Sequence, residues 1–158
     1  MTTLGIFHTA ISIAAIAVAA VSLLKDKFIL PNSSLGKTYS VLNAVACTSS
    51  FWLSKAGGFN PGHAIGILVL VMIAVTYLLH NKNFSQGKYI MLFCMSFSLF
   101  LSFVPAVNET LTRIPIGHPL AANADAAIIK QVVLLLLLMF IGGLIFQFSK
   151  LKKEGNKF

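Results

Sequence analysis

Val132-Val133-Leu134-Leu135-Leu136-Leu137-Leu138-Met139-Phe140-Ile141 is apolar on every side of any helix it could form. A surface helix of a soluble domain keeps a polar face, so this run reads as a helix immersed in hydrocarbon. Extended outward it reaches from Ala126 to Phe148, against the ~20 residues that a helix needs to cross a bilayer core. Four more apolar stretches precede it: Leu4 to Leu24, Thr38 to Leu53, His63 to Leu79 and Tyr89 to Val107. The sequence thus predicts an all-α integral membrane protein. It has a single transmembrane domain spanning 1–158, with helices at about 4–24, 38–54, 62–80, 88–107 and 126–149.

Composition agrees: 57% of residues are hydrophobic and 10% charged, and the mean hydropathy is +0.87, outside the range of ordinary soluble domains. The net charge of +8 does not indicate nucleic acid, because the lysines sit singly at segment ends and build no basic patch. They orient the chain instead. With the amino terminus outside and the carboxyl tail cytoplasmic, Lys25, Lys27, Lys37, Lys82, Lys88, Lys150, Lys152, Lys153 and Lys157 fall inside. Only Lys55, Arg113 and Lys130 fall outside, the asymmetry of the positive-inside rule. Tyr39, Tyr77 and Tyr89 then gather at the inner boundary and Trp52 at the outer one. The first stretch reads as a retained helix and not a signal peptide, since Met1 to Phe7 carries no basic side chain. The lipid bilayer is the expected surrounding, and a bacterial inner membrane the expected location.

Small and polar side chains mark faces that meet other helices in a membrane. The first helix carries His8, Ser12, Ala15, Ala19 and Ser22 at helical spacing. The second carries Ser40, Asn43, Ala44, Cys47, Ser50 and Ser54; the third His63 and Gly66; the fourth Cys94, Met95, Ser98 and Ser102. The fifth offers nothing polar between Val132 and Ile141. This predicts a four-helix core with a fifth, peripheral helix packed on its outside, held through the notch at Gly142 and Gly143. The one long connection, Asn108 to Asp125, lies on the outer side. Its Asn108-Glu109-Thr110 matches a glycosylation sequon, a short pattern to which little weight attaches.

His8, His63 and His118 fall at the outer membrane face, and His80 at the inner one. Ionisable groups inside a membrane are costly and are functional candidates by default. Two imidazoles from facing helices can supply both axial ligands of a b-type haem, so His8 and His63 are the candidate haem ligands; with His118 they form a candidate metal set. Gly66, one turn below His63, would leave room for a flat macrocycle. Arg113, Lys130 and Lys55 lie at the same level and can pair with haem propionates or an anionic substrate. Against this, an interfacial histidine also finds ordinary work donating to a carbonyl or water, and Lys130 can snorkel to the headgroups. Cys47 and Cys94 read as buried small hydrophobes, and Met72, Met91 and Met95 as core packing, not a copper stripe. No phosphate-binding loop, nucleophile elbow, HExxH or carboxylate pair is present, which argues against a hydrolase or a carboxylate-driven pump.

Three motifs, Gly5-Ile6-Phe7-His8, Leu35-Gly36-Lys37-Thr38-Tyr39 and Gly57-Gly58-Phe59-Asn60-Pro61-Gly62-His63, resemble those of a family of small bacterial membrane proteins, domain-of-unknown-function family 2306. The resemblance covers about the first two thirds of the chain and implies a helical membrane bundle without implying an activity. Family members often carry histidines just before the second and fourth helices, where this chain has Ser33-Ser34 and Ser85-Gln86. An inner-side ligand set is therefore not expected, while His8 and His63 match the outer pair.

Three functions follow as expectations. One is membrane electron transfer through a haem b or metal near the outer face. A second is a non-catalytic accessory subunit, docking through its fifth helix onto a membrane-protein partner or a second copy. A third is a small-solute transporter or channel using the serine-lined faces.

Overall fold

The computed structural model describes residues 2–53, 58–80, 82 and 86–154. Ser54, Lys55, Gly57, Ser85 and Lys157 lie outside the described residues. Five helices follow one another: α1 (Thr3–Asp26), α2 (Ser34–Ser50), α3 (Pro61–His80), α4 (Gly87–Arg113) and α5 (Ala127–Glu154), with no strand among the described residues. Four of them, α1, α3, α4 and α5, are long and apolar enough to cross a membrane, which supports an integral membrane protein.

α2 is the exception, and its sequence explains why. Its 17 residues rise about 25 Å at ~1.5 Å each, short of the ~30 Å hydrocarbon thickness. Beyond Ser50 the ladder tightens: Phe51 N–H donates to the Thr48 carbonyl, Trp52 to Ser49 and Leu53 to Ser50 at 3.3, 3.3 and 3.0 Å. Bonds of this i−3 type rise ~2.0 Å per residue and lengthen the segment by about 6 Å.

α1 packs on α2, α2 on α3, α3 on α4 and α4 back on α1, so the four form a closed ring with α1 opposite α3 and α2 opposite α4. Small side chains permit the close approach of α1 to its neighbours, with Ala15, Ala19 and Ser22 almost wholly buried. The α2–α4 diagonal is bridged through the centre. Ser98 spends its hydroxyl proton on the Met95 carbonyl (2.8 Å), so the Tyr39 hydroxyl donates to Ser98 Oγ (2.8 Å) and accepts from Asn43 Nδ2 (2.9 Å). Ser102 shares its single hydroxyl proton between the Ser98 carbonyl at 2.9 Å and Asn43 Oδ1 at 3.2 Å. Tyr39, expected at the inner boundary, is thus fully buried, because its hydroxyl finds partners inside the bundle.

Ser22, Asn43 and Ser98 are buried as the polar stripes require, and Thr76 is buried as well. Gly36 closes the α1–α2 corner: the Ser33 side chain caps its N–H at 2.9 Å, and a Cβ there would run into the Leu30 carbonyl.

α5 packs against α4 alone among the helices. Phe140 lies among Phe93, Phe97 and Phe100 with centroids 5.3 to 6.2 Å apart, and Phe148 meets Tyr89 edge-on at 5.7 Å. Below them Gln147 accepts from Ser96 Oγ (2.8 Å) and donates to the Lys27 carbonyl (2.9 Å). Lys27 ends α1 in the left-handed region with φ 66, so this bond secures a residue whose backbone an ordinary side chain rarely adopts. The expected notch at Gly142 and Gly143 is not the contact: a Cβ at either would meet nothing within 4 Å. The large aromatic side chains of α4 select the Phe140–Gln147–Phe148 face instead.

α4 is longer than its apolar run indicated, continuing to Arg113 through Pro105. Its polar end is helical because Arg113 pairs with Glu109 one turn back and Thr112 Oγ1 donates to the Asn108 carbonyl at 2.7 Å. The connection between α4 and α5 shrinks to 114–126 accordingly. Asn108, read as a loop sequon, lies in a helix with its Oδ1 buried.

Candidate functional site

His8 and His63 sit at the end of the bundle where α1 and α3 begin and α2 and α4 finish. His8 lies one turn and a half into α1, half-buried, and turns its ring onto α2. Its Nδ1 is 3.0 Å from the Ala46 carbonyl and 3.0 Å from Ser49 Oγ. A carbonyl oxygen only accepts, so Nδ1 carries the proton and, in the neutral ring, Nε2 holds the free lone pair. Ser49 in turn donates to the Ala46 carbonyl at 2.8 Å, so its hydroxyl proton is not directed at His8 and the two are not a nucleophile–base pair. A backbone carbonyl on Nδ1–H is the arrangement that orients a ligating imidazole through Nε2. Ser49 also lines a shallow groove of about 370 Å³ between α1 and α2, with Leu4, Ala44, Val45, Thr48 and Trp52.

His63 does different work. Asn60, Pro61, Gly62 and His63 form the start of α3, and Asn60 Oδ1 accepts from the His63 N–H at 3.1 Å while the Asn60 N–H donates to His63 Nδ1 at 3.4 Å. This is the reciprocal exchange of a capping box, with histidine in the place usually held by Glu or Gln and proline at the first helical position. The ring is 7% exposed, covered by Phe51 at 5.4 Å and Phe59 at 5.9 Å between centroids. Asn60 turns a donor to each ring nitrogen, its N–H to Nδ1 at 3.4 Å and its side-chain amide to Nε2 at 3.5 Å, whereas His8 meets acceptors.

His8 and His63 turn to different partners, His8 to α2 and His63 to the cap of its own helix. α1 and α3 stand on the diagonal of the ring, and no hydrogen bond or ring contact joins His8 to His63 among the described residues. The face at Gly66 is turned to α2, where a Cβ would lie in ordinary contact with Ser50 Oγ at 3.5 Å and Cys47 Cβ at 3.8 Å. His118 is exposed in the 114–126 segment. Arg113 is engaged with Glu109, and Lys130 is exposed in the first turn of α5. Among the described residues no three His, Cys, Asp or Glu side chains gather closely enough to hold a metal ion.

The serine stripes, read as a candidate solute path, are largely committed to their own helices. Ser12 donates to the His8 carbonyl, Ser40 to Gly36, Ser50 to Cys47 and Ser102 to Ser98, all at 2.6 to 2.9 Å. Hydroxyls that bond back to the preceding turn offer little to a passing solute. The chain matches no protein-family model, no curated protein and no solved structure.

Asn60 was quoted from sequence only within a motif and without a role, and the Ala46 carbonyl was not singled out. The first was legible as an Asn-Pro helix start, whereas a main-chain acceptor from another helix leaves no sequence signal.

Proposed function

We propose that this chain is a small accessory protein of a bacterial inner membrane. Its four-helix core sits in the bilayer with the amino terminus outside and the carboxyl tail cytoplasmic, and α5, a fifth and peripheral transmembrane helix, docks another membrane protein. The observation that carries this reading is the open side of α5. Among the helices it packs on α4 alone, with Gln147 reaching the Lys27 carbonyl at the end of α1, and Leu134, Leu135, Leu138, Met139, Ile145 and Phe146 are all more than half exposed. Gly142 and Gly143 lie on the same open surface with room for an approaching helix. The filled core and engaged hydroxyls favour a scaffold over a conduit. The orientation is supported by lysine placement: Lys25, Lys27, Lys37, Lys82, Lys88, Lys150, Lys152 and Lys153 share one end of the bundle.

Photo-crosslinking in native membranes tests it, with a benzophenone amino acid at Leu138 or Phe146 and, for comparison, at the equally exposed Ile13 of α1. The expected result is a discrete protein adduct from α5 and none from Ile13. An adduct of twice the chain mass identifies a second copy as the partner. Lipid adducts alone at all three positions refute the reading.

A second reading, membrane electron transfer with haem b at the outer face, is favoured by one observation, the free Nε2 that the Ala46 carbonyl leaves on His8. A reduced-minus-oxidised visible spectrum of the protein purified in mild detergent decides it, with a Soret and alpha band lost in His8→Ala as the expected signature. Kinship with family 2306 belongs to the proposal as well. Its support is that two of the shared motifs occupy exacting positions, Gly36 beneath the Leu30 carbonyl and Asn60 to His63 in the cap of α3. A family member whose second helix starts without that close approach would count against it.

A further inference from the structure

A second groove, of about 440 Å³, runs between α2 and α3 and is lined by Lys37, Ser40, Val41, Ala44, Ile73 and Tyr77. Its polar atoms are already engaged. Ser40 Oγ donates to the Gly36 carbonyl at 2.9 Å, and the Tyr77 hydroxyl donates to the Pro31 carbonyl at 3.3 Å. What remains inside is carbon: Val41, Ala44, Ile73 and the tyrosine ring. At the end of this channel stands Lys37, exposed in the first turn of α2 and paired with no carboxylate among the described residues.

The arrangement has the two parts of a lipid in the right order. An apolar trough lies along the membrane-facing side of two helices, and a cation closes it at the lysine-rich end, where headgroups lie. The positive pole of α2 reinforces Lys37 at the same level. The trough is built and not incidental: Gly36 allows the corner to close under Leu30, and the Tyr77–Pro31 bond fixes its wall. We propose that this groove binds one anionic phospholipid, its phosphate on Lys37 and one acyl chain along Val41, Ala44 and Ile73. The charge of the site and of its surroundings selects an anionic over a zwitterionic headgroup. The inference rests on the membrane reading and is independent of what docks on α5.

Native mass spectrometry tests it, using protein taken from bicelles of phosphatidylglycerol and phosphatidylcholine with identical chains. The wild type is expected to keep one phosphatidylglycerol adduct in preference to phosphatidylcholine. Lys37→Gln should reduce that preference roughly five-fold, the share of one lysine near a headgroup. Ala44→Phe, which fills the trough, should lose the adduct of either lipid, with helix content by circular dichroism as the folding control. The double variant Lys152→Gln/Lys153→Gln, remote from the groove, should keep it. Absence of a wild-type adduct, unchanged selectivity in Lys37→Gln, or an equal loss in the double variant overturns the proposal, the last by showing a diffuse charged surface and not a site.

Discussion

Replacing Tyr39 by phenylalanine removes one oxygen atom, yet it should destabilise the bundle more than replacing the whole Asn43 amide by leucine. The hydrogen-bond directions at the α2–α4 diagonal give the reason. Asn43→Leu removes the bond to the Tyr39 hydroxyl, the one from Ser102 and the weak one from the Cys47 thiol at 3.9 Å, but strands only that weakly donating S–H. Tyr39 still donates to Ser98, and Ser102 still donates to the Ser98 carbonyl at 2.9 Å. At an average of ~0.6 kcal/mol for a polar pair between membrane helices, the loss is about 1 kcal/mol. Tyr39→Phe removes the acceptor of Asn43 Nδ2, leaving an amide donor in a residue that is 3% exposed. A buried donor without a partner costs about 1–3 kcal/mol, and the bond to Ser98 is lost as well, for a total of about 2–3 kcal/mol. The double variant, in which donor and acceptor are both gone, should fall near Asn43→Leu and not at the sum. Reversible unfolding in bicelles measures all three. Equal losses for the two single variants, or a strictly additive double, would refute the reasoning.

Other outcomes follow from the same coordinates. His63→Ala breaks the cap of α3 and should cost about 0.5–2 kcal/mol, whereas His63→Gln, which restores the usual capping-box partner, should melt close to wild type. Gly36→Ala drives a methyl into the Leu30 carbonyl, and overpacking of about 1–3 kcal/mol should show as a lowered melting temperature. Gln147→Leu severs both the Ser96 and the Lys27 bonds and should raise hydrogen exchange at the end of α1 while leaving the amides of α2 and α3 unchanged.

Much of the architecture was legible because lipid imposes simple rules. Ala15, Ala19 and Ser22 lie inward as their spacing requires, and so do Asn43, Cys47 and Ser98, since small and polar groups have no better place in hydrocarbon. Tyr39 was misplaced because tyrosine suits both an interface and a satisfied interior, and only the positions of Ser98 and Asn43 distinguish them. The length of α4 was hidden by its polar end, where the Glu109–Arg113 pair and not hydropathy sustains the helix. The docking face of α5 was misread at Gly142 and Gly143 because small residues signal room for a neighbour without saying which one. At the candidate site, the placement of His8 and His63 at one end of the bundle was readable from topology. Their roles were not, since these depend on whether each Nδ1 meets a carbonyl or an amide.

The single-sided attachment of α5 also bears on how the molecule is assembled. Helices leave the insertion machinery in chain order, and the ring of α1 to α4 needs nothing from α5 to close its contacts. The fifth helix therefore arrives at a finished wall, and its docking is a late step gated by the Phe140 cluster and Gln147. Until it docks, Phe93, Phe97 and Phe100 of α4 stay uncovered, so the fifth helix completes the molecule by closing its aromatic seat.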